Sequence, residues 1–362
     1  MTELNSSLLK SKPNKGLLFV AGLLLVVITL ALYSLVRIKE QSRKDVREKL
    51  QEVLNTTHEA TQNWINDRID SVQLITGRPD ILRLAKDLLS TTDKSQEALS
   101  ENISLQKMRS IMKPWLDKHS YLGIFVISPD GINVASMRDG NLGEKIFFSK
   151  HGNYLDRMLK GSPQIVLPLR SEVALPNLDG KLVRGEPTMF VGVPIYDDEG
   201  SVIAAFTIRI NPALDFTRTI QMARTGETGD SYAFDQNGAL ISGVRFNEHL
   251  RKIGLVRPNE RAILTMIVRD PGGNTVKGYI PTTPREELPL TLMARQATAG
   301  NSGYNVDGYR DYRGVPVVGA WLWNDKFKFG LAFEIDVDEA YLSYYSIRKN
   351  FINVLLFAIV LF

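Results

Sequence analysis

Cysteine is absent from the 362 residues. That single absence removes a disulfide scaffold, a thiolate zinc site, an iron–sulfur cluster and a thiol nucleophile. It leaves the compartment open, because a chain of this length can bury a large core without bridges. Histidine is nearly as scarce. His58, His119, His151 and His249 stand singly, with no i, i+4 pair and no HExxH from which to build a helical metal site. Neither a GxSxG elbow nor a GxxxxGK(S/T) phosphate loop occurs. Gly272-Gly273 in DPGGNTVKG lacks phosphate-loop spacing and reads as a Pro-Gly-Gly turn. The acidic pairs Asp197-Asp198 and Asp336/Asp338 fall in a turn and at a helix start, where carboxylates are ordinary. No catalytic residues, cofactor or metal are expected. Charge of one sign is missing too: 44 Lys+Arg against 40 Asp+Glu, a net of +4, is too even for a dedicated nucleic-acid binder.

Charge vanishes altogether in two places. Residues 17–36, LLFVAGLLLVVITLALYSLV, are twenty residues without a charge, about 30 Å as a helix, one hydrocarbon thickness. A cleaved signal peptide would have a shorter apolar core and a small-residue cleavage site; here the run meets Arg37, Lys39, Arg43 and Lys44. Residues 351–362, FINVLLFAIVLF, are again uncharged but reach only about 18 Å. They read as a second membrane helix cut part-way, so that the chain is a fragment; the other reading is a core helix of a soluble domain. Basic residues on both sides of the first span give the positive-inside rule no clear vote. The layout favours a short cytoplasmic tail and an external middle segment.

A stripe at Val46, Leu50, Val53, Thr57, Ala60 and Trp64 repeats at 4, 3, 4, 3, 4 along a long helix from about 38 to 76. It fits both a helix packed on its own domain and the seam of a parallel homodimer. Helices are expected over 79–89 and 94–117. Then the period falls to two. Residues 123–128 and 132–137 read as a hairpin across Asp130-Gly131, and 188–195 with 202–210 as another. Residues 139–185 read as loops with a helix near 154–159. After a connecting helix at 215–223 the plan repeats: strands at 231–234, 239–242, 314–323 and 329–335, with 250–298 irregular. A helix from Asp338 should run unbroken into the membrane. The strand, acidic/Gly turn, strand unit thus recurs about 100 residues apart, as in two similar α+β modules.

The layout resembles the double-Cache extracellular sensor domains of bacterial transmembrane signalling receptors. Residues 225–242, TGETGDSYAFDQNGALIS, look like that family's Gly-x-Thr-Gly-x-x-Tyr opening and Asp-x-x-Gly turn. Residues 311–341 look like its closing strands and exit helix, and 187–212 like the end of its membrane-distal module. The resemblance implies an α+β fold: a long N-terminal helix, then two tandem PAS-like antiparallel-sheet modules, flanked by transmembrane helices. The expected organisation is a cytoplasmic tail (1–16), a first transmembrane helix (17–36), a long helix and helical N-terminal part (37–120), the distal module (121–212), the proximal module (213–345), and an exit helix with a truncated second span (346–362). The implied role is a periplasmic ligand sensor in the inner membrane, without catalysis of its own, signalling to a cytoplasmic output such as a two-component histidine kinase, a nucleotide or diguanylate cyclase, or a phosphatase. A membrane-anchored ectoenzyme and an adhesion module are the competing classes.

The implied partners are a small-molecule ligand, the membrane and a second copy, with no nucleic acid. In amine-recognising members of the family the last distal strand supplies an acidic residue to the ligand. The matching strand here, 202–210, offers Arg209 instead, and Tyr154-Leu155-Asp156-Arg157 matches the family's Arg-x-Trp-Tyr pattern poorly. A guanidinium suits carboxylate or phosphate oxygens. The expected ligand is therefore a small anion, held by Arg209 with Arg157 or Arg170, walled by Tyr154 and Phe190, with Thr188 on the adjacent strand. Alternation alone leaves Arg209 free to face solvent instead.

Overall fold

The computed structural model describes residues 15–145 and 152–361. The expected tail, 1–16, lies outside the described residues except for its last two. The chain divides into two compact units: Met1–Lys49 with Val337–Phe362, and Leu50–Asp336.

In the smaller unit, the first part of helix α1 (Lys15–Thr76) and helix α10 (Leu342–Leu361) carry the two apolar runs. Leu30, Ala31 and Ser34 of α1 and Ile347, Asn350 and Phe351 of α10 line one shallow groove. Among the described residues, no helix is long and apolar enough to cross a membrane. A short helix α9 (Val337–Ala340) precedes α10, with Tyr341 as a turn between them. The i→i−4 bonds persist across that turn, Tyr341 N to Val337 O at 3.1 Å and Tyr345 N to Tyr341 O at 2.9 Å.

In the larger unit, α1 is followed across Gly77 by α2 (Pro79–Leu89), which starts with proline at its first turn. The single helix expected over 94–117 is two, α3 (Gln96–Glu101) and α4 (Ile103–His119). The break is local chemistry: Asn102 is extended, and its side chain accepts from Ser104 N at 2.8 Å, capping a new helix. Strands β1 (Gly123–Ile127) and β2 (Asn133–Ser136), helix α5 (Tyr154–Leu159), and strands β3 (Gln164–Arg170), β4 (Leu175–Pro176), β5 (Leu182–Val183), β6 (Pro187–Tyr196) and β7 (Val202–Ile210) follow. Five of these strands make one antiparallel sheet in the order β2-β1-β7-β6-β3, while β4 and β5 pair separately. Strand β3 falls where loops were expected. Pro168 breaks its alternation, but β3 is an edge strand and its register shifts between Val166 and Leu169, the two settings in which proline is tolerated.

Helix α6 (Asp215–Gln221) leads to β8 (Asp230–Phe234), α7 (Asn247–Lys252), α8 (Leu292–Thr298), β9 (Gly303–Arg310), β10 (Pro316–Asn324) and β11 (Phe329–Asp336). The second sheet runs β8-β11-β10-β9. Numbered within themselves, the sheets read 2-1-5-4-3 and 1-4-3-2. The second is the first without its second strand. Residues 239–242, expected as that strand, make only isolated bridges, Phe234 to Leu240 and Ala239 to Ile267. The repeated acidic turn is also one device used twice. Asp197 Oδ1 accepts from Glu199 N and Ser201 N (3.1 and 2.7 Å), and Asp235 Oδ1 from Asn237 N and Ala239 N (2.8 and 2.9 Å).

Four of the six residues of the α1 stripe are buried within one chain, while Val46 and Ala60 are half-buried. Leu50, Val53, Thr57 and Trp64 are all buried, and Trp64 packs on Phe216 of α6 with ring centroids 5.4 Å apart. Thr57 and Thr61 sit in the core because each hydroxyl donates to the carbonyl four residues back, at 2.8 and 2.7 Å. These residues are therefore not free to form the seam expected between two copies. Leu50→Ala should cost about 2–5 kcal/mol in urea unfolding, and cysteine placed at position 50 should not cross-link copies in membranes. Efficient cross-linking there would restore the inter-chain seam.

Candidate functional site

The first sheet decides which way Arg209 points. In β7 it pairs with Phe190 of β6 on one side and Gly123 of β1 on the other. Alternation then puts Arg209, Thr207, Phe125, Phe190 and Thr188 on the same face. Beneath α5 that face is a buried apolar cluster including Phe125, Leu155, Met158, Val166 and Phe190. Met158 reaches the sheet over Gly192, where a Cβ would lie 2.3 Å from its sulfur.

Arg209 is only 3% exposed. Its guanidinium lies 5.0 Å from the Phe125 ring centre and 5.1 Å from that of Phe190. Two aromatic faces thus supply the attraction that a counter-ion would normally give. Among the described residues no carboxylate pairs with it, and its Nε has no hydrogen-bond partner. Burial, with Arg138 repelling it, lowers its pKa from the ordinary guanidinium value to about 10, so it remains a cation at neutral pH. Thr188 and Thr207, also fully buried, have hydroxyls without partners.

Arg209 forms one wall of a cleft of about 660 Å³ shared with Phe125, Asn133, Asn141, Glu144, Glu172 and Arg184. Asn133 donates from Nδ2 to Asn141 O at 2.6 Å, leaving its buried Oδ1 unpartnered. The cleft therefore has a desolvated cation in its wall and both charge signs around it. Such a site can hold a small molecule by a carboxylate end and orient any cationic group toward Glu144 and Glu172.

Of the six residues singled out from sequence, the structure brings Thr188, Phe190 and Arg209 onto one face. Tyr154 is half-buried on α5 beside the same cluster, and burial raises its phenol pKa. The two supporting arginines lie elsewhere. Arg157 is exposed on α5. Arg170, at the end of β3, turns toward the second sheet's half of the unit and donates from Nη2 to Leu264 O at 2.9 Å. The carboxylates that β7 lacks come from segments without periodic signal, at Glu144 and Glu172.

The second half of the unit has a different polar centre. Glu334 of β11, 3% exposed, accepts from Tyr232 and Tyr309, each at 2.6 Å. Asp230 accepts from Tyr312 at 2.8 Å and from Arg245 N at 2.9 Å. Arg313 bonds Asp311 and Asp336, both at 2.6 Å, over the Phe246 ring. These groups are held mainly by hydrogen bonds and ion pairs to one another.

The family model described as dCache_1: Cache domain matches residues 38–344. The ligand-binding domain of the Campylobacter jejuni chemoreceptor Tlp3, solved with L-norvaline, superposes with a TM-score of 0.45 at 10% identity, covering 83% of this chain and 94% of that one. The periplasmic domain of RsbU from Chlamydia trachomatis gives 0.49 at 13% identity, covering 85% and 98%. The ligand-binding domain of the Pseudomonas aeruginosa amino acid chemoreceptor PctB, in complex with L-Arg, gives 0.44 at 14%, covering 88% and 100%. No curated protein matches the chain.

Proposed function

Because this chain belongs to the Cache-domain family, we propose that it is the extracytoplasmic sensing region of a transmembrane signal-transduction receptor. It binds a small carboxylate-bearing molecule in the first sheet's cleft and passes a conformational change through α9 and α10 to a cytoplasmic output domain. Arg209 receives the carboxylate; Phe125 and Phe190 hold the guanidinium in place; Asn133, Glu144 and Glu172 select the remainder of the ligand. The apolar runs at 17–36 and 351–362 support anchoring in the inner membrane, with the modules 121–212 and 213–345 outside. Homodimerisation is retained through surfaces other than the buried α1 stripe. The chain itself carries no catalysis.

The observation that carries this reading is the buried Arg209, unpaired among the described residues, in the wall of an open cleft. A desolvated cation is expensive to keep without a counter-charge, and a transient anionic ligand supplies one. The test is calorimetric titration of the full chain, in lipid nanodiscs, against a panel of mono- and dicarboxylates and amino acids. At least one should bind saturably, and Arg209→Ala should weaken that compound by roughly a hundredfold. Equal binding by the variant and the wild type would remove the anchor on which the reading depends.

A further inference from the structure

The second half of the larger unit contains a cleft of its own, remote in sequence from the Arg209 site and about 360 Å³ in volume. Its apolar walls include Leu255, Tyr279, Ile280 and Leu288, and its charged lining residues are Arg269, Arg285 and Lys252. Among the described residues, no aspartate or glutamate lines it. The nearest acid in sequence to Arg269, Asp270, is engaged elsewhere, accepting from Arg310 Nε at 2.8 Å and Nη2 at 2.9 Å.

The two arginines are held to neutral acceptors. Arg269 donates from Nη1 to Leu288 O and leaves its buried Nε unpartnered. Arg285 donates from Nη2 to Ile267 O at 3.3 Å and lies 3.0 Å from Met266 Sδ. Burial and the neighbouring Arg269 both disfavour the Arg285 cation, with only Glu286 opposing them. Two like charges thus face one apolar cleft with carbonyl oxygens as their main compensation. A carboxylate has the two oxygens and the charge that this pair lacks.

The apolar side is equally incomplete. Ile280 is 82% exposed and Tyr279 is 42% exposed. Tyr279 is nevertheless fixed, because its ring lies over the Gly272-Gly273 turn. A Cβ at Gly273 would meet that ring at 2.6 Å, and one at Gly314 would meet Gly273 O at 1.8 Å. The Pro-Gly-Gly motif therefore seats an aromatic wall of this cleft. A volume at the low end for ligand sites admits a compound of about ten to fifteen heavy atoms.

We propose that this second cleft binds a small amphipathic monocarboxylate, such as an aryl or branched-chain acid. Its carboxylate lies between Arg269 and Arg285, and its apolar body lies on Tyr279, Ile280, Leu255 and Leu288. The site is independent of the Arg209 cleft and stands whether or not that cleft binds an anion. It would let the sheet nearest the exit helix in sequence respond to a second signal.

The probe is 3-phenylpropionate, titrated calorimetrically into the full chain in nanodiscs, with empty nanodiscs as the blank and neutral 3-phenylpropanamide as the control. Saturable binding of the acid is expected, with none of the amide. Arg285→Gln should weaken binding tenfold or more. Ile280→Glu changes an exposed side chain that the fold does not need, and it should weaken binding as strongly while leaving the thermal midpoint unchanged. Arg209→Ala should have no effect. The proposal is overturned by no saturable binding at millimolar probe, by equal binding of the amide, or by a loss that follows Arg209 rather than Arg285 and Ile280.

Discussion

Arg209→Met should make the ligand-free protein more stable and nearly unable to bind its anion. The gain is expected because the native side chain is a buried cation that, among the described residues, has no counter-ion and is compensated by two phenylalanine faces at 5.0 and 5.1 Å. Replacing an uncompensated buried charge with an apolar chain of similar length removes a desolvation penalty. It also forfeits cation–π attraction worth about 0.5–2 kcal/mol. The balance is a gain of about 1–3 kcal/mol, a few degrees in thermal midpoint. Affinity for whichever acid the titration panel identifies should fall roughly a hundredfold. Arg157→Met, at an exposed position of α5, serves as the control and should move neither quantity. Opposite signs for stability and binding are the signature of a side chain kept for function. A loss of several kcal/mol in Arg209→Met would instead make Arg209 part of the fold's own support, with no reason to await a ligand.

Strands β6 and β7 are largely apolar, rich in β-branched residues and bounded by turns, so their positions follow from period and punctuation in the sequence. The side of the sheet that Arg209 occupies does not. Alternation fixes only relative faces, so Arg209, Thr207 and Ala205 share one side whatever the register. The Phe190 pairing then places that side under α5. The supporting arginines fall away from the expected site because residues 139–185 have no periodicity to place them. Arg170 ends an edge strand that proline disguises, and its reach to Leu264 depends on a contact 94 residues away. The same limit hides Glu144 and Glu172, which enter the cleft from irregular segments.

The α1 stripe shows the other kind of ambiguity. A heptad-like spacing identifies an apolar face but says nothing of what covers it. Trp64 against Phe216 gives the answer, and that contact spans 152 positions of chain, as the numbering shows. The internal repeat is legible from its turns because Asp197 and Asp235 act locally, each bonding backbone amides within four residues. Strand β9 is not legible, since GYNVDGYR on a sheet edge is polar, half-exposed and carries a glycine with φ of +103°. Local chemistry can be read from the chain alone; edges and long-range partners cannot.

The stability of the second module should fall as pH rises from about 4.5 to about 8, and Glu334→Gln should remove most of the fall between about pH 6 and 8, while buried Asp311, its own pKa raised to about 6, keeps its share below. Burial is the largest cause raising the Glu334 pKa to about 8, reinforced by Asp311; the bonds from Tyr232 and Tyr309 act the other way. The site is tight as well as dry: a Cβ at Gly319 would fall 2.3 Å from the Tyr309 hydroxyl. The sign follows from proton counting. Between the ordinary carboxyl value of about 4.5 and the folded value, the native state holds a proton that the unfolded chain has released. Glu334's contribution to stability therefore decreases through that window, by at most about 1.4 kcal/mol per pH unit, and levels off above it. Glutamine cannot titrate. Its amide nitrogen can only donate, so one tyrosine hydroxyl loses its acceptor, at about 1–2 kcal/mol. The variant should accordingly be less stable than the wild type at pH 5 and more stable at pH 9, with the two curves crossing between. Chemical denaturation across that range reads the crossing directly, and parallel curves would mean that Glu334 is ionised throughout.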